Sequence, residues 1–399
     1  MIKILHTADW HLGQMLCNFD RREEQQAMLD QMPAIVRQEQ PDVFLLAGDI
    51  YDAAQPSAAV QKMFNDAILN LHHICPEMTI VCISGNHDSG IRHTIYQKPW
   101  EDLQVHMTGT IQREHPEEHI IEIAGKGFVV AVPYASHHLL PDGFYQSLYD
   151  TVAQRNSARL PVVLTAHLAL SSCDPTGNDI FLDTIGGLEC ADASDFSRYD
   201  YVALGHIHKP QSVGSTQRIR YAGTPLPVSF DEVYPGCEHS VSIVEISHSG
   251  DLPSVRTIAI NNPRPLVNLY AHASDSLREV QEALLRLPQD SRTYIRLNAE
   301  VPQGQVLPYT DGEIRHFLQE HNPCAQFCYI NAIRKTPPSV LHSDDTANSS
   351  LSLTEFQHLH PAEVLAQWFA SRGTTYTDEH RQMFRQAEAR LNIPDQPLP

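Results

Sequence analysis

The chain has 399 residues, 42% of them hydrophobic, which is enough to bury two or three cores rather than one. Its 28 Lys and Arg stand against 48 Asp and Glu, a formal net charge of −20. That balance excludes a free-standing protein that holds polyanions by bulk basic charge, so an anionic ligand would have to be met by bound cations, local basic spots or a partner.

In chain order, the apolar run Ile2–Leu5 is fit for a buried strand and is followed shortly by Asp9-Trp10-His11. Helical patterning near Asp20–Gln40, interrupted by Pro33, leads to Val43–Ala47 and then Gly48-Asp49-Ile50-Tyr51-Asp52. A helix near Ser57–His73 precedes the run Thr79–Ile83, which ends on Gly85-Asn86-His87-Asp88, and helices follow around Ile91–Leu103. Val162–Thr165 precedes Ala166-His167, and Tyr201–Leu204 precedes Gly205-His206-Ile207-His208. Alternating strands and helices up to about residue 170 indicate βαβ organisation. From Tyr201 to Ile246 strand follows strand, including Arg218–Ala222 and Ser240–Ile246, so a two-sheet α/β core flanked by helices is expected over residues 1–262.

After Asn261-Asn262-Pro263-Arg264-Pro265 a small α+β unit is expected over residues 266–335. It runs as strand Leu266–Ala271, helix near Ser276–Leu287, strand Thr293–Val301, helix near Asp311–Glu320 and strand Gln326–Arg334. Residues 336–350 are polar, carry Pro337-Pro338 and read as a linker. Over 351–392 a helical pair is expected. Ser352-Leu353-Thr354-Glu355 is a capping box and Pro361 suits a second helix start. Val364, Leu365, Trp368 and Phe369 form one apolar stripe, and Met383, Phe384, Ala387 and Leu391 form another. So small a hairpin cannot bury both stripes by itself, which leaves packing on the preceding unit or docking to a partner.

The five polar clusters at the strand ends carry the chemistry. In open α/β sheets ligands collect beyond the carboxyl ends of strands. Imidazole, carboxylate and amide groups without a thiolate suit manganese, with magnesium or iron as alternatives, better than a closed zinc site. Two such ions about 3.5–4 Å apart can activate water and stabilise a leaving oxygen in phosphate ester hydrolysis. Asp49 is the expected bridge, since each carboxylate oxygen can meet one ion. The expected ligands are Asp9, His11, Asp49 and His208 for the first ion, and Asp49, Asn86, His167 and His206 for the second. His87 completes neither set and is the expected catalytic group, giving a proton to the leaving oxygen or stabilising the transferring phosphate. Asp52 and Asp88 are expected behind the ligands, orienting imidazoles. Singly, each cluster has a plainer reading: a Gly-Asn-His-Asp turn, a polar strand face at His206 and His208, a hydrogen-bonded strand-end histidine at His167. Their joint order favours the metal site.

The eight cysteines show neither a secreted disulfide framework nor paired zinc spacing, and Cys324 with Cys328 reads as core packing before metal ligation. Met1-Ile2-Lys3-Ile4-Leu5 runs straight into the first strand rather than a signal peptide, and no apolar stretch spans a bilayer, so a cytoplasmic protein without a membrane role is expected.

In sequence, the clusters resemble the signature of the calcineurin-like metallophosphoesterase superfamily. More narrowly, His6-Thr7-Ala8-Asp9-Trp10-His11-Leu12-Gly13, Arg21, Glu24, Ala47–Asp52, Tyr201–His208, Tyr221-Ala222-Gly223-Thr224-Pro225 and Ser229-Phe230-Asp231-Glu232 resemble the SbcD-type nuclease subunits of bacterial SbcCD complexes. The resemblance implies a four-layer α/β/β/α core, a capping domain, and a Mn²⁺-dependent DNA nuclease with double-strand exonuclease and single-strand or hairpin endonuclease activity. It further implies an SbcC-like ABC ATPase partner whose coiled-coil base receives the C-terminal helical pair. A homodimer within a heterotetramer, joined through the helices around Ser57–His73 and Ile91–Leu103, is also implied. A metallophosphoesterase for nucleotides or small phosphate esters is the alternative, and a non-catalytic scaffold the third.

Overall fold

Ile2–Thr7, Val43–Ala47 and Thr79–Ile83 are buried at nearly every position, which is why they read as continuous apolar runs rather than alternations. In the computed structural model, which describes residues 1–95, 97–135, 140–177, 190–272, 274–288, 290–302, 305–335, 377, 380 and 381, they form the parallel centre of a six-stranded sheet. Its order is Ser254–Ala259, Ser240–Ile246, Ile2–Thr7, Val43–Ala47, Thr79–Ile83, Val105–Thr108, with the first two strands antiparallel. A second six-stranded sheet runs Gln211–Val213, Ile219–Tyr221, Tyr201–Gly205, Val162–His167, Gly127–Val132, Ile120–Ile123. Its four central strands are parallel.

Side chains alternate across each strand, and the sorting defines the layers. Ile2, Ile4, Val43, Leu45, Val81 and Ile83 of the first sheet meet Val129, Ala131, Val163, Tyr201 and Ala203 of the second in one buried layer. The intervening Leu5, Phe44, Leu46 and Ile80 point the other way and pack with Met28, Val36, Phe64 and Ile68 from the helices. On the far side, Val130, Leu164, Val202 and Leu204 pack with Phe144, Leu148 and Val152 of the helix Phe144–Arg155. The arrangement is α/β/β/α. His6 ties the two sheets polar to polar, its Nδ1 3.0 Å from the Tyr201 hydroxyl and its Nε2 3.2 Å from the Leu204 carbonyl.

The patterning near Asp20–Gln40 resolves into two helices, Arg22–Leu29 and Met32–Glu39, because Pro33 is accepted only in the first turn of a helix. Ser57 caps the helix Ala58–Ile74, accepting the Val60 amide, and Val60, Phe64, Ile68 and Leu71 face the core. Beyond Pro265, three parallel strands, Leu266–His272, Tyr294–Pro302 and Gln326–Lys335, carry two helices, Leu277–Leu284 and Asp311–His321. Capping boxes at Ser276 with Glu279 and at Thr310 with Glu313 start those helices. Val280, Leu284, Ile314 and Leu318 bury against Ile295 and Leu297. The linker expected at 336–350 and the helical pair at 351–392 lie outside the described residues, except for Thr377, His380 and Arg381. Among the described residues no helix is long and apolar enough to cross a membrane.

Candidate metal centre

The parallel strands of both sheets end at one edge, and there the loops zip together past the sheet. Asp9 N donates to the Gly48 carbonyl, His11 N to Asp49 and Leu12 N to Ile50, each at 3.0 Å. The backbone is strained at this edge: Asp9, His11, Asp49 and His206 have φ of +53°, +42°, +47° and +91°, a region costing on the order of 1 kcal/mol or more per non-glycine residue. Two glycines clear the space. A Cβ on Gly48, itself at φ +87°, would collide with His167 Nδ1, and one on Gly85 would collide with Asp49 Oδ1.

Asp49 sits at the centre, fully buried. Its Oδ1 accepts the His87 backbone N–H at 2.9 Å, while Oδ2 has no hydrogen-bond partner and lies 3.3 Å from His167 Nε2 and 3.7 Å from His11 Nε2. Asp9 accepts the His206 N–H at 3.0 Å, joining the two sheets' loops. Ligand atoms of Asp9, His11 and His208 lie within 4.8 Å of one another, as do those of Asp9, Asp49 and His167, and of His11, Asp52 and His87. Asn86, exposed at the mouth, places Oδ1 3.0 Å from both His167 Nε2 and His206 Nδ1. All seven expected ligands therefore meet at this edge. Asp9 differs from its expected placement with the first set alone, because its carboxylate is grouped with both.

The imidazoles are held from behind. His167 Nδ1 is 2.8 Å from the Ala47 carbonyl, so its N–H donates there and Nε2 is turned toward Asp49 and Asn86. His208 Nδ1 is 3.0 Å from Glu232 Oε1, and His87 Nδ1 is 3.0 Å from the Asp52 carbonyl. His11 has no hydrogen bond on either nitrogen, although Asp52 Oδ1 lies 3.5 Å from its Nδ1.

Asp52 thus lies beside His11 without hydrogen-bonding its ring, and Asp88 faces backbone amides. Rather than orienting an imidazole of the cluster, its carboxylate accepts the backbone N–H groups of Gly85 (2.8 Å), Tyr51 (3.0 Å) and Ile50 (3.1 Å). It clamps two ligand loops together. Two residues have roles that the sequence pattern alone does not assign. Glu232, almost fully buried, accepts from Thr224 Oγ1 at 2.6 Å and from the Val228 and Ser229 amides as well as His208. Its signal was the box Ser229 to Glu232, which opens a short turn. Tyr134, shortly after the strand Gly127–Val132, places its ring 6.2 Å from that of His167 and 6.5 Å from that of His206.

Electrostatically the cluster is short of positive charge. Burial alone would lower the His11 and His167 pKa, yet Asp52, Asp49 and Asp9 push His11 up to about 9, and Asp49 and Asp9 push His167 up to about 9. Burial would raise Asp49, but His167, His11 and His87 hold it well below the usual carboxylate range, whereas burial raises Asp9. Burial and the nearby His167 lower His206 to about 3. Buried acids that retain protons on neighbouring imidazoles, together with the unpartnered Asp49 Oδ2 and His11 nitrogens, fit the demand of divalent cations with N and O ligands.

This edge of a two-sheet α/β sandwich, with its mixed Asp, His and Asn cluster, defines a metal-dependent phosphoesterase. Residues 2–210 match the calcineurin-like phosphoesterases, and the chain belongs to that family, within its group of SbcD-type nucleases. It is 31% identical to the SbcD component of the SbcCD nuclease of Rhodobacter capsulatus over 347 residues, 78% of this chain and 84% of that protein. The Escherichia coli K12 protein of the same name is 30% identical, over 70% of this chain and 74% of its own length. The Bacillus subtilis one is 29% identical, over 75% and 79%.

Proposed function

We propose that the chain is the DNA-cutting component of an SbcCD-like DNA repair complex and hydrolyses phosphodiester bonds at two divalent ions, manganese in preference to magnesium or iron(II). The observation that carries the reading is the buried Asp49 carboxylate, its Oδ2 without a hydrogen bond between His11 and His167. Asp9, His11, Asp49 and His208 would hold one ion, and Asp49, Asn86, His167 and His206 the other, with the Asp9 carboxylate grouped with His11 and His208 and also with Asp49 and His167. When bound, such ions supply Lewis-acid polarisation of the phosphate.

The remaining work falls to side chains. The His87 N–H fixes Asp49 Oδ1, and its Nδ1–H donates to the Asp52 carbonyl, which leaves Nε2 to exchange a proton with the leaving oxygen. Asp88 holds the backbone of the Asp49 and Asn86 loops in register. Tyr134 offers a ring at the mouth beside His167 and His206. Cleavage is exonucleolytic on duplex ends and endonucleolytic on single strands and hairpins.

An SbcC-like ABC ATPase with a coiled coil is the partner, docking to residues 351–392, and it supplies positive surface that a chain of net charge −20 lacks. Two copies pair through the helices Ala58–Ile74, Gly90–Ile95 and Gln97–Glu101; Ile91 and Ile95, one turn apart on the second, are 70% and 63% exposed and offer apolar surface for that contact. The test is manganese-dependent cleavage of a linear duplex and a hairpin DNA, with and without the partner, using His87→Ala as control. Cutting that fails in the control supports the reading. Hydrolysis of small phosphate esters with DNA left intact overturns it in favour of a nucleotide or small-phosphate phosphoesterase.

A further inference from the structure

Arg21 is among the largest fully enclosed side chains of the protein, 2% exposed, and lies outside the metal cluster. A buried guanidinium is costly unless it is well bonded, so its contacts indicate what it is kept for. Its Nη1 donates to two acceptors from distant parts of the chain: Gln14 Oε1 at 2.8 Å and the Pro227 carbonyl at 2.7 Å. Gln14 follows the His11 loop, with its N–H bonded to the His11 carbonyl at 3.0 Å, and its Nε2 donates to the Val228 carbonyl at 3.0 Å. Pro227 and Val228 enter the turn that delivers Glu232 to His208. The rings of His11 and His208 stand 5.1 Å apart, between these two anchored loops.

We infer that Arg21 is a positioning residue that sets the distance between His11 and His208 by binding both of their loops at once, and that the capping unit seats it. The seat is Tyr294, on a strand of that unit: its ring centroid lies 6.0 Å from the Arg21 guanidinium and 5.1 Å from that of Arg264. The Tyr294 hydroxyl donates to Glu24 Oε1 at 3.1 Å, and Arg264 Nε is 3.0 Å from the same oxygen. One helical position further on, Gln25 binds the His11 loop again, accepting Gly13 N–H at 3.0 Å and donating to the His11 carbonyl at 3.3 Å. None of these contacts reaches His167, Asn86 or His206. The clamp therefore governs one ion position and leaves the other alone.

The inference rests on the two-ion reading, and the test separates the two. Manganese is titrated into metal-free full-length protein, wild type, Arg21→Lys, Gln14→Leu and Tyr294→Leu, with paramagnetic resonance reporting each position and thermal unfolding reporting stability. A lysine keeps the charge but lacks the planar group that fixes the two N–H bonds of Nη1 on both acceptors. Gln14 is only half-buried, so its variant tests the clamp should the Arg21 variant fail to fold. The expected result is roughly a 10–100-fold loss of affinity at one position, the one His208→Gln also empties, with the other position unchanged. A fall in unfolding temperature with both affinities intact, or an equal loss at both, would mean Arg21 is merely structural and overturns the inference. Wild-type protein that takes up no ion overturns the two-ion reading itself, and the inference with it.

Discussion

His6 looks from its sequence position like part of the metal signature, yet the structure makes it a pH-sensitive tie between the two sheets. It is fully buried, accepts the Tyr201 O–H on Nδ1 and donates from Nε2 to the Leu204 carbonyl, so the neutral ring is satisfied, whereas a proton on Nδ1 would take the acceptor from the Tyr201 O–H and bury a charge. Burial, aided by the positive Arg220, lowers its pKa from 6.5 to about 3. Because the folded value is depressed, the unfolded chain takes up the proton first. The stability tied to the neutral ring is complete above pH 6.5 and is lost as pH falls from there toward 3. At pH 5 the loss amounts to about 2 kcal/mol, a substantial share of the stability of a typical domain. The assay is urea unfolding of chelated protein at pH 7.5 and 5.0, wild type against His6→Gln, which cannot titrate. Other histidines contribute to both proteins, so the comparison isolates His6. Wild type is expected to lose about 2 kcal/mol more than the variant over this interval; a difference below about 0.5 kcal/mol would refute the assignment.

Three further outcomes follow from the centre. Asp49→Asn is expected to empty both ion positions, whereas His87→Ala keeps the metal and loses roughly 10²–10⁴ in turnover; metal analysis beside a hydrolysis assay checks the pair, and equal metal loss would contradict the division of roles. Glu232→Gln removes the charge behind His208 and is expected to weaken manganese binding roughly 10–100-fold by calorimetry, an unchanged Kd counting against that support. Gly85→Ala places a methyl against Asp49 Oδ1, so the purified variant should carry little bound metal after manganese loading, and full loading would show that the loop can yield.

Much of this architecture is legible because the same physics writes both pattern and fold. A parallel strand covered on both faces needs an uninterrupted apolar run, so Val43–Ala47 and Thr79–Ile83 announce themselves, and the polar groups that end each run fall at one sheet edge. What is not legible depends on distance along the chain. Arg21 meets Pro227 across a separation of 206 residues, and Glu232 reaches His208 across 24; the residues themselves stand in recognisable local patterns, but nothing local says which partner each one meets. The role of Asp88 is hidden for a related reason. A carboxylate beside a candidate ligand looks the same in sequence whether it faces an imidazole or three backbone amides, and only the turn geometry at Gly85 decides.

The centre is also a seam. Asp9, His11, Asp49 and Asn86 follow strands of one sheet, while His167, His206 and His208 belong to the other. The His206 N–H bonds to Asp9 and the imidazole of His167 bonds to the Ala47 carbonyl, so the loops of the two sheets touch at this edge through protein hydrogen bonds. Ions held by ligands from both sides would bind only where the sheets are correctly packed, and their binding energy would then become folding energy, growing as RT ln(1 + [M]/Kd). That linkage bears on the charge of the chain. A buried acid such as Asp9, whose pKa is raised by burial, destabilises a bare fold, and with Asp49 it would concentrate cations at the edge where a phosphate would approach. A net charge of −20 therefore would not oppose an anionic substrate at this site, because the charge that a phosphate would meet first is that of the ions these acids would hold.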